Sequence, residues 1–121
     1  MANATLYVCT TCRKGTADAP PPGARLHAAI SALQAPEGVE VVGVECLSAC
    51  NNGCSVALAA PGKWTYLYGG LDPDLHAADI LRGAALYAQS VDGMPPWRER
   101  PEIFRKQVIG RTPPFPEKKT A

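Results

Sequence analysis

Short apolar runs alternate along this chain with polar, proline-bearing breaks, and the period of each run predicts its element. Ala4 to Val8, apolar at Leu6, Tyr7 and Val8, predicts a first β-strand. Leu26, Ile30 and Leu33 fall at i, i+4 and i+7, one stripe of a helix that follows Pro20-Pro21-Pro22-Gly23 and stops at Pro36. Val39 to Glu45 is nearly continuous valine, the pattern of a parallel strand covered on both faces. Ser55 to Ala60 and Trp64 to Tyr68 flank Pro61-Gly62-Lys63 and predict a hairpin. Trp64, Tyr66 and Tyr68 then share one face, expected either to pack under a helix or to form a dimer or partner surface. After Gly69-Gly70, Asp72 predicts a cap for a helix with Pro73 and Asp74 in its first turn. Leu75, Ala78, Leu81, Ala85 and Ala88 are the expected buried side of that helix, which ends near Ser90.

From Met94 the composition changes. Pro95, Pro96, Pro101, Pro113, Pro114 and Pro116 exclude long regular structure, although Glu102 to Val108 suits a short helix. The expectation is a domain over 1–93 and an extended, proline-rich tail over 94–121 that lies on the domain to about Arg111. The order β-α-β-β-β-α is that of a thioredoxin-like α/β sandwich. A strand, a helix and a parallel strand bring both strand ends to one edge of the sheet.

Composition changes this picture little. At 121 residues, with 46% hydrophobic and 19% charged residues, the chain suits one soluble domain. No apolar run approaches the length of a membrane span, and no secretory signal is legible, so a cytoplasmic protein with reduced thiols is expected. The net charge of +1 is uneven, with seven basic and three acidic residues from Met94 onward. That bias is too weak for a nucleic-acid face.

The cysteines change it most. Cys9 and Cys12 follow the first predicted strand, and Cys46, Cys50 and Cys54 follow the second, so the two groups are expected at one sheet edge. The spacing is Cys-x-x-Cys, 33 residues, then Cys-x-x-x-Cys. Three chemistries use such a pattern. A [2Fe–2S] cluster takes four thiolates, here Cys9, Cys12, Cys46 and Cys50, and the small residues Ser48, Ala49, Asn51, Asn52 and Gly53 let backbone N–H groups approach its sulfurs. Zinc takes the same four thiolates as a structural or metal-handling site. A Cys9–Cys12 dithiol would serve as a thiol–disulfide oxidoreductase, though Gly15 and the following prolines hold the helix dipole away from it. Cys54 is either a buried thiol or an alternate ligand. His27 reads as a surface or packing residue, with a ligand role the lesser alternative, and His76, in the first turn of its helix, as exposed.

Glu45-Cys46-Leu47-Ser48-Ala49-Cys50 resembles the cysteine segment of thioredoxin-like [2Fe–2S] ferredoxins, and the order of elements extends that likeness over roughly residues 4 to 90. Those ferredoxins use a wider first cysteine gap, and Cys54 has no counterpart in them. Cys12-Arg13-Lys14-Gly15 and Trp97-Arg98-Glu99-Arg100-Pro101 are similar to motifs of a family of small bacterial proteins described only as predicted metal-binding. The resemblance implies an electron carrier rather than an enzyme, a redox partner (a reductase or an acceptor enzyme) and a role in cobalamin or metal metabolism. Neither nucleic acid nor a membrane span is implied, and the aromatic hairpin makes a homodimer an expectation.

Overall fold

The computed structural model describes residues 4–11, 21–45, 47 and 54–114. Its centre is a five-stranded sheet in the order β2-β1-β3-β4-β5. The strands are β1 (Ala4–Cys9), β2 (Val39–Val44), β3 (Cys54–Ala59), β4 (Thr65–Leu71) and β5 (Val108–Thr112). The helices are α1 (Pro22–Ser31), α2 (Ala77–Gln89) and α3 (Glu102–Lys106), with one 3-10 turn over Trp97–Glu99. β1 pairs parallel with β2, with Leu6 beside Val41 and Cys9 beside Val44. All other pairs are antiparallel.

Strand alternation sends Ala4, Leu6 and Val8 of β1, Val56 and Leu58 of β3, and Tyr66 and Tyr68 of β4 to one face, where they are buried. Leu26 and Ile30 of α1, Ile80, Ala84 and Tyr87 of α2, and Ile103 and Phe104 of α3 close over them. Each large apolar side chain hidden this way contributes about 1.5–3 kcal/mol. The hairpin turn follows its sequence: Lys63 N–H donates to Ala60 O at 3.2 Å, with Pro61 at the second position and Gly62 at φ 73° at the third. That is the type II arrangement, which needs a positive φ where glycine stands.

The C-terminal segment adds to the sheet. β5 pairs with β4, placing Arg111 beside Tyr66 and Val108 beside Tyr68. Phe104 stacks on Tyr68 with ring centroids 4.0 Å apart, so α3 covers the aromatic face of the hairpin. Tyr66 and Tyr68 are therefore core residues, and only Trp64 of the three is half-buried.

Three local expectations are corrected. β2 is an edge strand with Glu40 and Gly43 exposed and only Val39 buried, not a strand covered on both faces. α1 ends at Ser31, so Leu33 lies beyond the helix and is exposed. Asp72 organises a separate turn: its Oδ1 accepts from Asp74 N–H at 2.7 Å, and its carbonyl accepts from Leu75 and His76 N–H. α2 starts after that turn, leaving Leu75 exposed. His76 is half-buried, because its Nδ1 accepts from Asp72 N–H at 2.9 Å.

Candidate metal centre

The parallel pair β1–β2 runs out at Cys9 and Val44, and the backbone beyond each strand stays laced to the other. Thr10 N–H and Thr10 Oγ1 both donate to Val44 O, at 2.8 and 3.1 Å. Thr11 Oγ1 donates to Glu45 O. The Cys9 thiol faces the same Glu45 carbonyl, with its sulfur 3.6 Å away, and lies 3.9 Å from Thr11 Oγ1. Two successive carbonyls of the β2 end thus receive donors from three successive residues of the β1 end. The sequence provides for this directly, because threonine at 10 and 11 supplies hydroxyls where only backbone groups would otherwise meet.

Cys12 is the next residue after Thr11, and Cys46 the next after Glu45. Cys12, Cys46 and Cys50 lie outside the described residues. Among the described residues, no three histidine, cysteine or carboxylate side chains come together. Thr11 and Glu45 are exposed, so this edge of the sheet meets solvent.

Cys9 and Cys54 are both fully buried. β3 runs antiparallel to β1, so its first residue, Cys54, stands at the same end of the sheet as the last residue of β1, Cys9. Side-chain parity separates them. Cys54 shares a face with Val56 inside the helix-covered core, whereas Cys9 points to the face opposite Leu6 and Val8. Cys9 and Cys54 thus stand at one end of the sheet, where β1 finishes and β3 opens; in sequence, Cys12 follows β1, and Cys46 and Cys50 follow β2.

An imidazole also reaches this end. A Cβ on Gly43 would stand 3.0 Å from His27 Nε2 and 3.0 Å from Thr10 Cγ2. Gly43 therefore leaves the room in which His27 of α1 packs over the end of β2, a reason for that glycine that the valine pattern does not reveal. A thiol donor set fits a soft or borderline metal, which binds the thiolate and displaces its proton. The Glu45 carbonyl beside the Cys9 sulfur suits the protonated thiol, so ligation by Cys9 requires that contact to give way.

Among the described residues, no helix is long and apolar enough to cross a membrane. No curated protein matches the chain. A solved structure that does match is a thioredoxin-like [2Fe–2S] ferredoxin from Aquifex aeolicus, at 17% sequence identity and a TM-score of 0.55, covering 95% of this chain and 98% of that one. That likeness shows a thioredoxin-like ferredoxin fold. A family model described as "Protein of unknown function (DUF1636)" matches residues 6–114, and the chain belongs to that family.

Proposed function

We propose that the chain is a [2Fe–2S] electron-transfer protein whose cluster is held by Cys9, Cys12, Cys46 and Cys50. The observation that carries this reading is the laced end of β1 and β2, where the Val44 and Glu45 carbonyls hold Thr10 and Thr11. Both cysteine loops start there side by side, which is what one centre drawing two thiols from each loop requires. When bound, the cluster supplies storage of one electron at a time. The chain's own part is to supply four soft donors, to exclude water from the Cys9 side, and to keep the edge at Thr11 and Glu45 open to a docked redox partner. A role in cobalamin or metal metabolism rests on family resemblance alone.

Two features favour this reading over its competitors. Cys54 is sequestered among core side chains on the helix-covered face, which supports leaving it out of the ligand set. Complete burial of Cys9 disfavours it as the attacking thiol of a disulfide exchange, which needs access to its substrate. Zinc would use the same four thiols, and metal content separates the two.

Serine variants test the ligand set. Cys46→Ser and Cys50→Ser are expected to lose or strongly alter bound iron after anaerobic purification, while Cys54→Ser retains it with an almost unchanged spectrum. Loss of iron in the Cys54 variant alone would overturn the assignment.

A further inference from the structure

At the end of the sheet away from Cys9 and Cys54, the aromatic face of β4 carries arginines. Arg111 lies over the Trp64 ring, 4.6 Å from its centroid, and its Nη1 is 3.3 Å from Met94 Sδ. Arg100 lies between two rings, 5.6 Å from the Tyr66 centroid and 5.5 Å from that of Trp97, while its Nε donates to Pro95 O at 2.8 Å. Arg98 is exposed in the 3-10 turn that precedes Arg100, and Trp97 is 57% exposed. Three ion pairs exist among the described residues, Arg25–Asp74, Arg82–Asp79 and Lys106–Glu102, and none involves Arg98, Arg100 or Arg111. Among the described residues the nearby carboxylates are Asp92, whose Oδ1 accepts from Met94 N–H, and exposed Glu99, so the three arginines leave the patch with a net positive charge.

We infer that this patch is a docking surface for a carboxylate-rich segment of a partner protein. Tryptophan, arginine and methionine are the residue types that concentrate at the centres of protein interfaces. A guanidinium stacked on a ring is already ordered and keeps its outer N–H groups for a planar, bidentate acceptor, so little freedom is lost on binding. Carboxylates fit that fork. A duplex or single-stranded nucleic acid calls for a longer basic stripe than three arginines. Membrane binding calls for an amphipathic helix, and this patch is built on a three-residue turn and a strand. β4 separates the two ends: it runs from beside Trp64 to Leu71, which pairs with Cys54, and seven strand residues span roughly 20 Å. A partner held at Trp64 and Trp97 therefore leaves the Thr11–Glu45 edge accessible. The inference stands whether or not that edge carries a cluster.

The chain's two tryptophans, Trp64 and Trp97, are both in the patch, so fluorescence excited selectively in tryptophan reports on it. The full chain is titrated with poly-L-glutamate, and in parallel with inorganic polyphosphate and with phosphatidylserine vesicles. Saturable quenching or shift by polyglutamate is expected, weakened by salt, and weakened about tenfold in Arg111→Gln or Arg100→Gln. Arg111 is exposed at the sheet edge, so its variant keeps the fold if Arg100→Gln does not, and unfolding midpoints distinguish the two cases. No saturable signal from polyglutamate, affinity unchanged in both folded variants, or equal or tighter binding to polyphosphate or vesicles would each overturn the inference.

Discussion

Tyr66→Phe is expected to stabilise this protein, which is uncommon for a change in a packed core. The Tyr66 ring is 3% exposed, lies parallel to Tyr68 with centroids 5.8 Å apart, and carries Arg100 over its face. Its hydroxyl is buried and meets no hydrogen-bond partner among the described residues. The adjoining cavity, bordered by Leu58, Tyr87, Pro95 and Phe104, has a volume of about 10 Å³. That is at the lower limit of what one water needs, and the neighbouring walls are largely apolar. A buried hydroxyl without a partner costs about 1–3 kcal/mol of desolvation. Phenylalanine removes that cost while keeping the ring stack and the cation–π contact. The small void left by one oxygen returns about 0.3 kcal/mol of it. A net gain of about 1 kcal/mol follows, or about 4 °C in Tm for a chain of this size. Tyr87→Phe is the matched control. Its hydroxyl donates to Trp64 O at 2.5 Å, so the same edit there should cost about 1 kcal/mol. Urea unfolding of both variants at constant m-value provides the comparison. A Tyr66→Phe protein destabilised as much as Tyr87→Phe would refute the reasoning, because it would mean that the Tyr66 hydroxyl is satisfied.

Two further perturbations test the packing around the same aromatic row. In Gly83→Ala the new Cβ would stand 2.2 and 2.3 Å from Cε2 and Cδ2 of Phe104, so the ring must leave its stack on Tyr68. Alanine's helix propensity returns about 1 kcal/mol, yet overpacking should win, with a net loss of about 1–3 kcal/mol by urea unfolding and early loss of protection in α3 by hydrogen exchange. Burial pushes the Tyr87 phenol up to about 12 and the Tyr68 phenol higher still, with the neighbouring Tyr66 adding to both. Because these folded-state values lie above the unfolded value near 10, their stabilising contribution is complete below pH 10 and is lost as the pH rises through 12. Phenolate absorbance from these two residues should therefore appear together with unfolding; its appearance in folded protein near pH 10 would contradict the burial.

Much of the fold up to α2 was legible because its signals are local. The β1 run, the Pro61-Gly62 turn and the Leu26–Ile30 stripe of α1 depend on periodicity and on backbone preference; of the face expected for α2 only Leu81 and Ala88 are buried, Leu75 and Ala78 are exposed, and Ile80, Ala84 and Tyr87 carry the core side instead. The joining of the two strand ends was legible for the same reason: a strand, a crossover helix and a parallel strand end side by side, while Cys12, Cys46 and Cys50 lie outside the described residues. What was missed depends on tertiary pairing. The valines of β2 resemble a central strand, but the sheet order puts them at an edge, and apolarity alone cannot tell these apart. Leu33 continues the α1 stripe in sequence, yet the helix has already ended at Ser31. β5 is five residues between a short helix and two prolines, and it is fixed by pairing with β4 and by Phe104 on Tyr68 rather than by its own propensity. The arginine stacks share that origin, since Arg111 meets the β4 rings only through the β4–β5 register. His27 over Gly43 likewise needs α1 and β2 in contact before it exists.

The central claim, that the cysteine edge holds a [2Fe–2S] cluster, is tested most directly by the visible absorption of anaerobically purified protein, with iron, sulfide and zinc assayed on the same sample. The account predicts brown protein whose broad bands bleach under dithionite, with about two irons and two sulfides per chain. Colourless protein that carries one zinc, or none of these metals, would contradict it.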